Sequence, residues 1–238
     1  MQAQDGQVSA RVKRRVVRIE RSVLRKNETA AAALRERWAA DGTFTVNVLS
    51  GPGSGKTTLL EQTIGPLATR YRVGVLAGDQ ATDNDAQRLG RNVPARQIVT
   101  AVECRLDAVM IENALANWDA GPFDLLLIEN VGNLICPAEY DLGEALRVVL
   151  FSVADGEEIP LKYPLAFNTA HVALVTKIDL VDALAFDRPR AHANVQQVQP
   201  GVPVLELSAR TGAGMTAWIR LLDELCAQRT RPREAAPA

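Results

Sequence analysis

The residues best equipped for chemistry lie together in Leu49-Ser50-Gly51-Pro52-Gly53-Ser54-Gly55-Lys56-Thr57-Thr58. An apolar, β-branched run from Phe44 to Leu49 leads in, and a run of good helix formers from Thr58 to Leu67 leads out. That spacing predicts strand, glycine loop and helix. Glycines allow backbone N–H groups to turn inward as an anion nest, with a helix N-terminus behind it. Gly51, Gly53, Ser54 and Gly55 would cradle phosphate, and Thr58 completes the predicted binding set. Lys56 would reach the β- and γ-phosphates and the Thr57 hydroxyl would ligate Mg²⁺. The usual phosphate-loop pattern opens on glycine, where this chain has Ser50.

Four further stretches say what such a loop would serve. Glu129 ends the apolar run Leu125 to Ile128 and stands three residues before Gly132, which is where a phosphate-loop enzyme holds Mg²⁺ and senses the γ-phosphate. Asp79, in Ala77-Gly78-Asp79-Gln80-Ala81-Thr82-Asp83, follows a second apolar run. It would sit beside the triphosphate, near Mg²⁺ or the attacking water, while Thr82 and Asp83 equally suit a helix cap. Asp179, in Thr176-Lys177-Ile178-Asp179, offers a carboxylate to two adjacent donors on guanine, N1–H and the 2-amino group; adenine has no such pair. The Lys177 stem would pack on the purine face, and Thr176 stands where Asn usually opens this motif. Ser208-Ala209-Arg210 follows the last apolar run, with the Ala209 N–H placed for the guanine oxygen. In this order the set predicts binding of GTP and GDP, with Lys56, Asp79 and Glu129 as the catalytic group.

The elements that must position these residues are legible as alternation. Strands are predicted at Thr43–Leu49, Arg72–Ala77, Arg96–Thr100, Asp124–Glu129, Leu146–Ser152, His171–Thr176 and Val204–Leu207. Helices are predicted at Lys56–Thr69, Asp83–Gly90, Leu106–Asn117, Asp141–Leu146 and Gly214–Ala227. Continuous apolar strands suit a sheet buried on both faces, so the fold class is α/β: a doubly wound, mostly parallel sheet of about seven strands. Ligands of such sheets bind at the carboxyl ends of strands, where every motif above falls. Residues 1–42 read as an N-terminal helical extension, 43–228 as the nucleotide domain and 229–238 as a loose tail. Within the extension, residues 1–10 read as disordered. A basic helix from Val8 carries Val12, Val16, Ile19 and Val23 at helical spacing among arginines, and a second runs from Asn27 to Ala40. The arginines read as a solvated face rather than a nucleic-acid or membrane surface.

With 238 residues, 47% hydrophobic and a formal net charge of −1, the chain can bury one sizeable core and shows no overall charge drawing it to nucleic acid or membrane. Three cysteines, an odd number, argue against a disulfide framework. No apolar run is long enough to span a bilayer, and polar residues follow Met1, so a cytoplasmic location is expected. His171, His192 and Cys226 read as structural.

Beyond these motifs the chain resembles a family. Val23-Leu24-Arg25-Lys26-Asn27, the phosphate loop, Gly78 to Asp83, Glu103 to Ala108, the run from Ile128 to Glu144 and Pro160-Leu161-Lys162-Tyr163-Pro164 resemble HypB. HypB is the GTPase of nickel insertion in [NiFe]-hydrogenase maturation and a relative of UreG. The resemblance covers about Val23 to Leu225 and implies a SIMIBI-class phosphate-loop fold. It also implies a homodimer promoted by GTP, hydrogenase-maturation partner proteins, and Ni²⁺ or Zn²⁺ held between protomers. Cys104 and Cys136 match the family's metal ligands, but Arg105 replaces its His, and Arg does not ligate metals. Three alternatives stay open. One is a dimeric metal carrier whose nucleotide only locks conformation, with negligible turnover; another is a related-fold GTPase that has lost nickel handling; the third is an ATP-dependent kinase or ATPase of related fold.

Overall fold

A computed structural model describes residues 2–80, 84–101, 103–116 and 118–229, with side chains from Ser22 onward. The apolar runs form β1 (Phe44–Ser50), β2 (Val73–Asp79), β3 (Ala95–Val99), β4 (Leu125–Glu129), β5 (Leu146–Ser152), β6 (Val172–Thr176) and β7 (Val204–Glu206). They build one seven-stranded sheet in the order β3-β2-β4-β1-β5-β6-β7. Every neighbouring pair is parallel. The helices are α1 (Gln2–Asp41), α2 (Lys56–Ala68), α3 (Asn84–Leu89), α4 (Ala108–Ala116), α5 (Ile159–Lys162), α6 (Pro164–Asn168), α7 (Arg188–Val198) and α8 (Met215–Arg229).

Helices cover both faces, which is why β1, β4 and β5 are buried along their whole length. On one face α2 and α8 set Leu59, Ile64, Trp218 and Leu222 against Val46, Val75 and Leu127. The Trp218 indole N–H donates to Thr63 Oγ1 at 2.9 Å, so its polar atom is satisfied inside that core. On the other face Phe151, Phe167, Ala191 and Val195 form one cluster. Leu34 and Trp38 of α1 join Ile111 and Leu115 of α4 over Leu76 and Leu126 in another. The chain begins its sheet at the centre with β1, places β2 to β4 on one side and β5 to β7 on the other. The strand order therefore reverses around β1, and the crevice at the carboxyl ends there is the expected ligand position.

A buried polar chain braces that crevice from behind. Arg147 Nε donates to Glu144 Oε1 at 2.6 Å, and its other nitrogens donate to the Ala138 and Tyr140 carbonyls. Asn47 bridges Glu144 to Asn130, the residue after Glu129, at 3.2 Å each way. The buried charges are thus paired and hydrogen-bonded, the condition under which such a pair is tolerated.

The sequence reading needs correction in three places. The helix expected over Asp141–Leu146 is a loop: the Asp141 carboxylate accepts from the Gly143 N–H at 2.8 Å, and Gly143 takes φ +74, which a helix cannot use. The two N-terminal helices are one, α1, because Asn27 is not a cap. Its buried amide donates to the Asp141 carbonyl and accepts from the Ala108 N–H, both at mid-helix. The helices α5, α6 and α7 were not anticipated; α7 is mostly polar, with only Ala191, Val195 and Val198 turned to the core, and Asp187 caps it by accepting from the Arg190 N–H. The expected basic face before Ser22 and the tail beyond Arg229 lie outside the described side chains and residues.

Candidate functional site

The phosphate loop leaves β1 at Ser50 and enters α2 at Lys56 through Gly55, whose φ of +102 is open only to glycine at no steric cost. Lys56 is buried, and its Nζ donates to Ser50 Oγ at 3.1 Å; that hydroxyl in turn donates to the Gly51 carbonyl. The serine that replaces the usual glycine therefore holds the lysine. In front lies a cleft of about 380 Å³ lined by Lys56, Thr57, Asp79, Asp85, Arg88 and Glu129. Asp79 sits at the end of β2, with Oδ1 accepting from the Gln80 N–H at 2.6 Å. Ala81, Thr82 and Asp83, expected to continue this segment, lie outside the described residues.

Glu129 faces Thr57 across the cleft: the Thr57 hydroxyl donates to Oε1 at 2.7 Å. The second oxygen, Oε2, is buried without a partner. A buried carboxylate oxygen with no donor, beside a hydroxyl at a helix N-terminus, is a set of hard oxygen ligands that fits Mg²⁺. Burial pushes the Glu129 carboxyl up to about 7, against the Thr57 hydrogen bond and the Lys56 charge. Burial likewise lowers Lys56, against Glu129, Asp85 and Asp79.

The Glu129 shift carries a prediction. Its folded value lies above its ordinary 4.5, so the neutral carboxyl's contribution to stability is complete below that value and is lost as pH rises through about 7. One unit corresponds to about 1.4 kcal/mol, so nucleotide-free protein should lose about 1–3 kcal/mol of stability from this group between about pH 5 and 8. Glu129→Gln should flatten that slope, read by urea unfolding at several pH values; an unchanged slope would contradict the assignment.

A second cleft of about 470 Å³ adjoins the first, sharing Gly55 and Thr58, and is lined by Lys177, Asp179, Ser208, Ala209 and Arg210. Asp179 Oδ1 accepts from Ser208 Oγ at 2.6 Å, which fixes the carboxylate plane. Lys177 adopts φ +59, a left-handed conformation seldom taken by a non-glycine residue, and its Nζ donates to the Gly53 carbonyl at 2.7 Å. Its stem thus spans from the base cleft to the phosphate loop. The Thr176 hydroxyl donates to the Ser54 carbonyl at 2.6 Å, which ties the end of β6 to the phosphate loop. All the predicted nucleotide residues that the structure describes except Gly51 therefore line one or other of two joined clefts.

The cysteines differ from expectation. Cys104 follows β3 and Cys136 follows β4, and the sheet brings these loops together with a Cα–Cα distance of 6.2 Å. They form a disulfide, so the expectation of no bridge is corrected; the third cysteine, Cys226, is outside the bridge and buried in the core. Burial pushes its thiol up to about 12. Bridged sulfurs are not thiolates, and among the described residues no group of three or more His, Cys, Asp or Glu side chains is arranged to hold a metal. A ligand role for Cys104 and Cys136 therefore needs the reduced pair. Arg105 beside them is tied to Glu103 at 2.6 Å and stacked on the Tyr140 ring, its Cζ 3.9 Å from the centroid. His171 and His192 are structural, accepting from the Arg147 N–H and pairing with Glu206 respectively.

Sequence reasoning missed three residues around the phosphates. Asp155 accepts from Ser54 Oγ at 2.8 Å and from the Ser152 N–H at 2.7 Å; the Ser152-x-x-Asp155 spacing is a capping box that was there to be read. Asp85 and Arg88 enter the cleft from α3. Nothing local signals that, because Arg88 pairs with Glu61, distant in sequence.

Comparison with known proteins agrees with this geometry. Residues 45–206 match the family described as CobW/HypB/UreG, nucleotide-binding domain. Hydrogenase maturation factor HypB of Azotobacter vinelandii is 46% identical over 220 residues, covering 92% of this chain and 73% of that protein. Among solved structures, HypB from Archaeoglobus fulgidus superposes with a TM-score of 0.79 at 37% identity, over 84% of this chain and 98% of that one. HypB from Helicobacter pylori, solved in complex with nickel, superposes with a TM-score of 0.80 at 34% identity, over 89% of this chain and 100% of that one.

Proposed function

The chain belongs to the CobW/HypB/UreG family of nucleotide-binding proteins, and on that premise we propose that it binds and hydrolyses GTP as an accessory protein of nickel metallocentre assembly, in hydrogenase maturation. The observation that carries the nucleotide part is the junction of two clefts at Gly55 and Thr58, one suited to a Mg²⁺-triphosphate and the other to guanine. Lys56 and the loop N–H groups hold the β- and γ-phosphates. Bound Mg²⁺, with Thr57 and Glu129 as its protein ligands, supplies neutralisation of phosphate charge. Asp79 stands at the mouth to orient water. Asp179 accepts from guanine, Ala209 offers its N–H to the guanine oxygen, and the Lys177 stem covers the base. Catalysis in such a site is positioning and charge stabilisation, so turnover without a partner should be slow. No helix among the described residues is long and apolar enough to cross a membrane, which agrees with a cytoplasmic place of action.

The nickel part is supported by the relatives' names and by the nickel complex of the Helicobacter pylori protein. Nickel here is cargo. In this reading a GTP-bound dimer brings the reduced Cys104 and Cys136 of two protomers together as four thiolates, since a two-fold interface pairs the same patch from each chain. The disulfide and the tethered Arg105 favour a second reading, a GTPase of this family that has lost nickel handling. Metal titration of the reduced protein with mass analysis separates the two. The first reading expects one metal ion per dimer with GTP and Mg²⁺, less metal in Cys104→Ala and Cys136→Ala, and higher nickel affinity in Arg105→His. Zinc should load more readily than nickel, because a tetrahedral set of thiolates favours it. Bound metal untouched by either cysteine change, or stoichiometric metal on a monomer, would contradict the shared site.

A further inference from the structure

We propose that Arg88 is a catalytic residue that the chain supplies to its own phosphate cleft, parked on Glu61 in this structure and transferred to the γ-phosphate for hydrolysis. This role rests on the GTP-hydrolase reading above. Arg88 lies on α3, the helix that follows Asp79 and the end of β2, and lines the same cleft as Lys56, Thr57 and Glu129. Its Nε donates to Glu61 Oε1 at 3.2 Å and an Nη to Oε2 at 2.5 Å, a two-pronged pair.

Glu61 is on α2, four residues after Thr57, so the pair sits one helical turn below the Mg²⁺ ligand on the same helix face. That turn is about 5.4 Å, a distance the flexible Arg stem spans by changing rotamer. The Arg88 side chain is 41% exposed and that of Glu61 25%, so the pair is open to solvent beside the cleft that Arg88 lines. An ion pair with such access to solvent is weakened by water, which leaves it open to exchange for a triphosphate.

The chemistry calls for this second charge. In hydrolysis the bond between Pγ and the GDP oxygen breaks and a bond from the water oxygen to Pγ forms, the water's hydrogens leaving with the phosphate as H2PO4−; Arg88 neither gives nor takes a proton. Negative charge is spread over the γ-oxygens in the transition state. Among the described residues lining the cleft, the cations are Lys56 and Arg88, against the carboxylates of Asp79, Asp85 and Glu129. Lys56 is fixed by Ser50 within the loop. Arg88, on a short helix beside the nucleotide, is the cation placed to respond to the γ-phosphate.

The test is single-turnover GTP hydrolysis by the full chain, with GDP affinity and thermal stability measured in parallel, for wild type, Arg88→Ala, Arg88→Lys and Glu61→Gln. Arg88→Ala should slow hydrolysis about 10²-fold, the effect of losing one transition-state donor, with GDP affinity unchanged. Arg88→Lys should stay slow, since an ammonium lacks the planar fork, and added guanidinium ion should partly restore Arg88→Ala. Glu61→Gln should hydrolyse at least as fast as wild type, because it releases the guanidinium. Arg88→Ala at the wild-type rate would overturn the proposal and leave the hydrolase reading standing. So would parallel losses of rate and stability in Arg88→Ala and Glu61→Gln, which would make the pair a structural clamp. A wild-type chain that binds GTP and never hydrolyses it would overturn both.

Discussion

Lys56→Ala should lower GTP affinity at least about tenfold and slow hydrolysis by a further 10²- to 10³-fold or so. The reasons are in its surroundings. Lys56 is 9% exposed and enters at the first residue of α2, where the loop N–H groups and the helix N-terminus already favour an anion. Burial lowers its proton affinity, and Glu129, Asp85 and Asp79 oppose that loss. A triphosphate adds further negative charge beside it and favours the protonated lysine. Removing the ammonium leaves the β- and γ-phosphates with the loop N–H groups alone. A charge-assisted hydrogen bond of this kind contributes about 1.5–3 kcal/mol to ground-state binding, and more in the transition state as charge shifts. The alanine should also free Ser50 Oγ, which now accepts from Nζ. Binding by fluorescent-nucleotide titration and hydrolysis by phosphate release read the two parts separately; unchanged binding and turnover would remove the phosphate-loop assignment.

Asp179→Asn should move the preference of the site from GTP toward XTP. In the proposed site the carboxylate would accept from guanine N1–H and the 2-amino group. An Asn amide presents a donor to that amino group, a repulsive contact, whereas xanthine carries an oxygen there and accepts it. Because Ser208 Oγ donates to Asp179 Oδ1, the side chain is held in one plane and cannot turn away to relieve the clash. A site built to hydrogen-bond its ligand rejects a mismatched one by about 10⁴-fold, so the exchange should be large in both directions. Competition of GTP and XTP for wild type and variant measures it. A variant that still prefers GTP would mean that Asp179 does not read the base.

The positions of Lys56 and Asp179 at the clefts are legible in the sequence because their motifs are local. Ser50 to Thr58 carries its own turn, and Thr176 to Asp179 carries its own strand end. The sheet was legible for a related reason: Leu125 to Ile128 or Leu146 to Phe151 can be little but strands buried on both faces. What could not be read depends on residues far apart in sequence. Asn27 reads as a helix break until Asp141 and Ala108 are seen to use its amide. Cysteine parity argued against a bridge because parity does not show that Cys226 is buried in the core, outside the pair, while the loops after β3 and β4 meet. The polar α7 is held by Asp187 at its start and by Ala191 and Val195 under it, too few apolar positions for a periodic signal. Arg88 belongs to the same class: its meaning appears only when α3 is laid beside α2.

The central claim is that the two joined clefts form one guanine-nucleotide hydrolase site. Single-turnover hydrolysis by the full chain, with excess protein over GTP or ATP and with Mg²⁺ either present or chelated, tests it most directly. The expected result is slow conversion of GTP to GDP and phosphate that requires Mg²⁺, is not inhibited by excess ATP and leaves ATP intact. Hydrolysis of ATP in preference to GTP, or GTP bound with Mg²⁺ and recovered whole, would contradict the account.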